Sequence, residues 1–373
     1  MQGEKKSIEE YFVPWLHDIK MYISPHIELA WAQPELHRMM SNENPFPPSE
    51  HVQEAIREYG KMANRYPDQG LVVRQRIAEI NGLDGPENVL LGNGSSEVFD
   101  MIFRSFLLPG DQVIQHTPCF GIYKLRCNIL GGELVSVPMV HNDDGLLDFD
   151  PAAILLAITP RTKIIVIANP NNPTGNFMTT EDFHKIAETG IPFVIDEAYI
   201  EYAGLGKSQV GLIKKYDNVI ITRTLSKAYG LAGMRFGYML SNKKLTDQIA
   251  ATLLPWNVGT IPMWAAYAAL NDEEALQKRI AFNNQQVKYI GEELSAINGL
   301  IIFPSYGNYI LFDAGPAGVK TSDIIDFAQK KGIILRPQNT MYGSNGWFRL
   351  TIGTAEENKT AIDVIKEFFA TRR

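Results

Sequence analysis

Lys227 ends the run Thr224-Leu225-Ser226-Lys227, and Arg235 follows eight residues later. An amine flanked by hydroxyls and a guanidinium can hold a carbonyl compound as a Schiff base and bind a phosphate beside it. Upstream lie Asp196-Glu197-Ala198-Tyr199 and the run Asn169-Pro170-Asn171-Asn172-Pro173-Thr174-Gly175. Further upstream are Pro118-Cys119-Phe120, with an aromatic ring that can stack on a flat ligand, and Gly94-Ser95-Ser96. The last reads as a helix start, where free backbone N–H groups and the helix dipole favour a phosphate. Each feature alone has an ordinary reading: turns for Asn-Pro and Thr-Gly, helix caps for the strand-end Asp and the Gly/Ser run, solvent for the Lys, core for the Phe. Together they meet the requirements of pyridoxal phosphate: a lysine, an anion for the pyridine nitrogen, donors for the ring oxygen and a phosphate cradle.

These groups need a scaffold that brings them together. From about residue 88, short β-branched runs alternate with helical stretches. Asn88-Val89-Leu90-Leu91, Gln112–Gln115, Lys163–Ile167, Phe193–Ile195 and Val219–Ile221 are nearly all apolar, and polar residues or a helical segment follow each. Continuous apolar runs separated by helices predict a parallel sheet covered on both faces, an α/β fold. Ligands bind such sheets beyond the carboxyl ends of the strands, where the polar residues above fall. The last hundred residues predict a smaller α+β unit. It has a long polar helix over about Asp272 to Ile297, short strands near Ile301, Ile310, Ile333 and Phe348, and helices near Asp323 and after Ala355. The segment before Ser41 has too little pattern to stand alone and is expected to pack with that unit. The expected division is an N-terminal arm with part of the small unit (1–47), a large cofactor-binding unit (48–270) and a small C-terminal unit (271–373).

The motifs AsnProAsnAsnProThrGly, AspGluAlaTyr and SerLysAlaTyrGlyLeuAlaGlyMetArg resemble those of the fold-type I, class I/II aminotransferases. Ser41-Asn42-Glu43-Asn44-Pro45, Arg65-Tyr66-Pro67-Asp68, Gly94-Ser95-Ser96-Glu97 and Arg349-Leu350-Thr351-Ile352-Gly353 are most similar to the histidinol-phosphate aminotransferase branch, which acts in histidine biosynthesis. The resemblance runs from about residue 41 to the C-terminus. It implies a large domain with a mostly parallel sheet between helices, a smaller α+β domain, and pyridoxal phosphate as cofactor. It gives Lys227 the Schiff base and the proton transfer at the substrate Cα, and Asp196 the ring nitrogen. Asn172 and Tyr199 would bond the ring oxygen, and Phe120 would stack on the ring where the branch more often carries Tyr. Gly94, Ser95, Ser96, Thr224, Ser226 and Arg235 would form the phosphate cradle. Tyr66 would reach the phosphate of the neighbouring subunit, making the active unit a homodimer. Arg349 would anchor the substrate anion, with an ion pair in a C-terminal strand as its bland reading. Arg336 would sit near a substrate phosphate, Asn308 near the substrate or in a turn, and Asn42 in the substrate site.

The sequence departs from the branch before Ser41, where Trp15, Tyr22 and Trp31 and His17, His26 and His37 gather. It departs again at Phe46-Pro47-Pro48, and Trp256-Asn257 falls in a segment expected near the site. These positions leave an aromatic or other amino acid open as substrate. Decarboxylation or racemisation on the same scaffold also stays open, because bond choice follows which Cα bond stands perpendicular to the ring.

Length and composition bound the alternatives. The chain has 373 residues, 45% hydrophobic and 21% charged, which excludes a disordered chain. A net charge of −7, from 35 basic and 42 acidic residues, argues against a nucleic-acid partner. Two cysteines make neither a disulfide framework nor a zinc site and point to a reducing compartment. Residues 1–10 have no apolar core and read as no signal peptide, so the expected location is cytoplasmic. The uncharged run Ala251–Asn271 contains Pro255, Gly259 and Pro262 and reads as a loop and a buried helix, with no membrane partner. The stretch before Ser41 shows no helix-turn-helix pattern, which disfavours a ligand-sensing DNA-binding regulator.

Overall fold

The computed structural model describes residues 7–21, 25–338 and 345–372. Tyr22 therefore lies outside the described residues. In chain order the strands are β1 (His37–Met39), β2 (Val89–Asn93), β3 (Gln112–Thr117), β4 (Glu133–Pro138), β5 (Val140–His141), β6 (Leu147–Asp148), β7 (Thr162–Ala168), β8 (Phe193–Asp196), β9 (Val219–Thr224), β10 (Phe236–Leu240), β11 (Ile301–Phe303), β12 (Tyr309–Asp313), β13 (Ile333–Pro337) and β14 (Trp347–Thr351). The helices that position the site are α1 (Pro25–Ala32), α2 (Glu50–Gly60), α3 (Leu71–Ile80), α4 (Gly94–Phe106) and α5 (Ile122–Ile129).

Seven strands form the large sheet in the order β2-β10-β9-β8-β7-β3-β4. Strands β9, β8, β7, β3 and β4 pair in parallel, and β10 runs antiparallel to both of its neighbours. Alternate residues face two separate cores, as the continuous apolar runs require. Ile165, Ile167, Phe193, Ile195, Val219 and Ile221 enter one. Ile164, Val166, Val194 and Ile220 enter the other, with Phe99, Phe103 and Tyr123 from the covering helices α4 and α5. The sequence reading assigns no element to 236–240. As β10, this segment runs against the other strands. Its first residues, and Arg235 just before them, therefore lie at the edge where the parallel strands end.

The second sheet has the order β1-β13-β14-β12-β11, with β1 parallel to β13 and the other pairs antiparallel. The segment before Ser41 thus gives a strand to the sheet built by the last hundred residues. Its core includes Met39, Ile310, Phe312, Ile333, Leu335, Phe348 and Leu350, with Ile290 and Leu294 from the long helix Glu273–Ser295 and Phe368 from the helix Ala355–Ala370. Residues 260–270 form a helix bearing buried Met263, Ala265, Ala266, Ala269 and Leu270. Among the described residues no helix is long and apolar enough to cross a membrane.

One ion pair is wholly inside the large unit. Glu197, which follows β8, receives Arg223 of β9 through Nε at 3.0 Å and Nη2 at 2.9 Å. The Ser208 hydroxyl and the Gln209 N–H complete its shell. A buried pair contributes little against an apolar replacement, but losing one partner strands a charge. Arg223→Met is expected to lower unfolding free energy by about 3–5 kcal/mol, and the double change with Glu197→Leu to restore most of it. Denaturant unfolding of the three proteins checks this, and equal losses in the single and double variants would contradict it.

Candidate active site

Register places the polar strand ends side by side. Ala168 pairs with Asp196, Asp196 with Thr222, and Thr224 with Gly237, which in turn pairs with Gly92. Asp196 is buried and faces the α4–α5 side. There Tyr123 Oη donates to its Oδ2 at 2.6 Å and Thr222 Oγ1 to its Oδ1 at 3.1 Å. Burial raises its pKa to about 6, although both hydroxyls and the Ala198 backbone pull it down. Among the described residues no cation pairs with it. A buried carboxylate with hydroxyl donors and no cation suits a protonated ring nitrogen.

Tyr199, three residues on, is buried. Its hydroxyl accepts from Asn42 Nδ2 at 2.8 Å and from Asn172 Nδ2 at 3.3 Å. Burial holds it protonated, with its pKa up at about 12, so its own hydrogen remains available to donate. Asn172 turns its oxygen the other way, accepting from Arg349 Nη1 at 2.7 Å. Arg349 Nη2 donates to Met40 O at 2.7 Å, and its guanidinium lies 5.5 Å from the centroid of the Tyr309 ring. Asn42 has a left-handed backbone (φ 54°) and is locked by Thr351, which accepts from its N–H at 2.9 Å and donates to its Oδ1 at 3.0 Å.

Lys227 Nζ lies 5.8 Å from the Tyr199 ring centroid and donates to Ser41 O at 3.2 Å. Burial, then the charges of Arg349 and Arg235, bring its pKa down to about 8, against the pull of Glu43 and Asp196. Such an amine has a far larger neutral fraction near physiological pH than an ordinary lysine, as a nucleophile or proton carrier needs.

The cradle forms where β2 turns into α4. Gly94 has φ +71°, and a Cβ there would run into the Arg235 guanidinium. A Cβ on Gly237 would likewise strike the Gly94–Ser95 backbone. The two glycines thus let Arg235 and β10 close on the helix start, where the N–H groups of Gly94, Ser95 and Ser96 precede the first intrahelical bonds. Arg235 is exposed and itself left-handed (φ 51°), a strained conformation of the kind found at ligand sites. Thr224 and Ser226, both buried, share a hydroxyl contact of 2.8 Å beside it. Asn257 supports the cradle, since its Nδ2 donates to Glu97 Oε2 at 3.0 Å and to Leu91 O at 3.0 Å.

The remaining expected residues fall into different surroundings. Phe120, half-buried after β3, meets Tyr123 edge-on at 6.0 Å, on the Asp196 side of the site. Arg336 is paired across the ladder with Arg349, so the two project from the same sheet face. Asn308 is fully buried and donates to the carbonyls of Asn42 at 3.1 Å and Glu43 at 3.2 Å, bracing the loop that carries Asn42. Tyr66 is 78% exposed and stacks on Trp256 of its own chain at 4.3 Å. Tyr123, Thr222 and Tyr309 escaped the sequence reading, and Thr351 entered it only inside the motif around Arg349, with no role of its own. Tyr123 left a signal, because a tyrosine between the apolar Ile122 and Cys127 of α5 needs a buried partner for its hydroxyl. The threonines and Tyr309 left none, being ordinary strand residues.

Comparison with known proteins agrees with this geometry. The profile of aminotransferase class I and II matches residues 35–365. Histidinol-phosphate aminotransferase 1 of Idiomarina loihiensis is 36% identical over 339 residues, covering 88% of this chain and 89% of its own length. Histidinol-phosphate aminotransferase 2 of Haemophilus influenzae strain 86-028NP is 37% identical, covering 89% and 90%. The crystal structure of histidinol-phosphate aminotransferase from Sinorhizobium meliloti in complex with pyridoxal-5'-phosphate superposes with a TM-score of 0.87 at 26% identity, over 97% of this chain and 98% of that one. The two-sheet architecture is that of the fold-type I transferases. The profile match runs from β1 into the helix after β14, and on that evidence the chain belongs to the class I and II aminotransferases.

Proposed function

We propose that the chain is a pyridoxal-phosphate-dependent aminotransferase that passes the amino group of histidinol phosphate to 2-oxoglutarate, giving imidazole acetol phosphate and glutamate. The observation that carries the substrate choice is the cross-strand pair Arg336–Arg349. Two guanidinium groups on one sheet face suit a dianion better than a single carboxylate, and the named function of the relatives agrees.

The residues present fit the cofactor. The uncompensated Asp196 suits the pyridine nitrogen, Tyr199 and Asn172 the ring oxygen, and the Gly94–Ser96 helix start with Thr224, Ser226 and Arg235 the phosphate, while Phe120 flanks the ring. When bound, pyridoxal phosphate supplies the electron sink that makes the donor's Cα–H acidic. Lys227 Nζ, held beside the Tyr199 ring and the Ser41 carbonyl, would take the proton from Cα and return it on the cofactor side. Arg349, held by Asn172 and Met40, orients the substrate anion, and Arg336 adds the second charge. Asn42 and Asn308 act by holding Tyr199 and the 42–43 loop in place.

We assign 1–47 to an arm and part of the small domain, 48–270 to the large domain and 271–373 to the small one. We also read the active unit as a homodimer in which Tyr66 reaches the neighbouring subunit's phosphate. Its support is the exposed Tyr66–Trp256 stack, with exposed Met62, Leu71, Val72 and Leu254 nearby in the chain. The free cysteines Cys119 and Cys127 suit a reducing cytoplasm. Sedimentation of the purified protein should show a dimer that Tyr66→Asp weakens, and a stable monomer with full turnover would refute it.

Turnover is tested by mixing the cofactor-loaded enzyme with histidinol phosphate and following the cofactor's absorption. The pyridoxamine form should appear and revert with 2-oxoglutarate. Conversion by aromatic amino acids alone would move the substrate class, and carbon dioxide or racemised product would overturn transamination. Arg336→Ala should raise KM for histidinol phosphate roughly tenfold or more, as loss of a charge-assisted bond does, and affect glutamate less.

The Lys227 amine offers a pH test. Only the neutral amine is nucleophilic, so its acylation in the cofactor-free protein, read by peptide mass spectrometry, should rise with pH through about 8. Arg349→Ala removes a cation that favours the neutral form and should move that midpoint upward. An ordinary lysine midpoint in the unchanged protein would contradict the burial and charge argument.

A further inference from the structure

Lys227 stands three residues beyond the end of β9, on a turn outside any strand or helix. The turn closes where the Gly230 N–H donates to Lys227 O at 3.0 Å. Each of its three carbonyls also accepts from a side chain that lies outside the large sheet. Asn44 Nδ2 donates to Lys227 O and to Ala228 O, both at 3.3 Å, and Arg279 Nη1 donates to Tyr229 O. The two side chains meet over Gly230, which has φ +70°. A Cβ there would lie 3.1 Å from Arg279 Nη1 and 3.4 Å from Asn44 Cβ. Arg279 belongs to the long helix Glu273–Ser295, and its Nη2 donates to Pro47 O at 2.7 Å. One turn on, Phe282 meets the Phe46 ring edge-on at 4.9 Å, and Asn283 donates to Gly307 O at 3.1 Å, next to Asn308. Phe46-Pro47-Pro48 is a point where the sequence departs from its branch, and it presents the second carbonyl that Arg279 holds.

We propose that Arg279 is a positioning residue for Lys227: with Asn44 it fixes the peptide planes of residues 227–229 and so sets where the amine stands. A lysine side chain is a flexible four-carbon stem, so its reach is aimed by the backbone from which it starts. A turn whose carbonyls face only water can rotate its peptide planes cheaply. A guanidinium shared between Tyr229 O and Pro47 O makes that rotation break charge-assisted bonds first. Misplacing a reacting group by about 1 Å can cost roughly a hundredfold in rate. Lysine at position 279 would keep the charge but lack the planar fork that spans both carbonyls. This inference rests on the reading of Lys227 as the proton carrier.

The test compares the wild type with Arg279→Lys, Arg279→Ala and Asn44→Ala, and with Lys278→Ala as a control that removes only an exposed ion pair to Glu274. Three quantities are measured. They are hydrogen exchange over 228–231 in the cofactor-loaded enzyme, acylation of Lys227 in the cofactor-free protein, and turnover with histidinol phosphate. An aromatic amino acid replaces that donor if the wild type converts only the former. In R279A the exchange should quicken roughly tenfold or more, as loss of a charge-assisted bond allows. The acylation midpoint should rise from about 8, because a freed amine meets more water. In R279K the charge is kept, so a raised midpoint reports movement of the amine. In R279A, kcat should fall roughly tenfold to a hundredfold with KM nearly unchanged, since Arg279 steers the amine and not the substrate. R279K should fall between, N44A should follow R279A, and K278A should match the wild type. Should R279A fail to fold, R279K and N44A decide by the same three quantities. Exchange and midpoint unchanged in the variants, or shifted with kcat intact, would overturn the role of Arg279. Turnover that survives in Lys227→Ala would sink the reading of Lys227 and the role in proton transfer together, whereas a shift in exchange and acylation would then leave only the clamp.

Discussion

The hydrogen bond from Asn42 to the Tyr199 hydroxyl joins the two sheets at the point where the chemistry is arranged. Tyr199 follows a strand of the large sheet, whereas Asn42 follows the edge strand of the small one and is gripped by Thr351 from a third segment. Arg349 spans the same gap to Asn172, and Asn308 braces the loop between them. All of these groups are shielded from water or nearly so, and a lost partner there leaves a polar atom with nothing to replace it. The seam therefore fixes the relative position of the sheets and the geometry of the site with one set of bonds. A change that merely loosens the small sheet would also misplace Tyr199 and Arg349.

Charge is segregated along this seam. The chain carries a net −7, yet Lys227, Arg235, Arg336 and Arg349 gather at the site against one buried carboxylate that lacks a cation. The arrangement favours anionic ligands at two ends and one positive ring between them. It also explains the amine: burial and two guanidinium groups make it costly to charge, and so useful. The buried pair Glu197–Arg223, one residue further along the same two strands, faces the opposite core and is mutually satisfied. Adjacent positions thus serve opposite ends, because alternation sends Asp196 to the site and Glu197 to the interior.

The central strands were legible because burial on both faces leaves no choice but continuous apolar runs. The site residues were legible because polar groups at strand ends stand out against them. Strand β10 was not, since Gly237 is there for the close approach of Gly94 and Ser95 and weakens any strand pattern. Nor were the partners of Asn42 and Glu197, which lie 309 and 26 residues away and carry no local signal. Asn308 shows a subtler limit. Its motif marks it as belonging to the site, but only the fold reveals that it grips backbone carbonyls. Tyr66 is the converse case, since the sequence associates it with a phosphate while the single chain shows it stacked on Trp256.

Two arginines of one ladder pair are held unequally, and under the proposed function a ping-pong enzyme would use that inequality. Its pocket must accept a phosphate ester in one half-reaction and a carboxylate in the other, with the reacting carbon in the same place each time. Arg349 is nearly buried and tied to Asn172 and Met40, so whatever anion it binds is held in fixed register with Tyr199 and Lys227. Arg336 is half-exposed and makes no ion pair among the described residues. On the proposed function its side chain would have room to adjust between a phosphate ester and a carboxylate, because no buried ion pair ties it down. On that reading the fixed arginine would set the geometry of the chemistry, and the adjustable one would absorb the difference between the substrates.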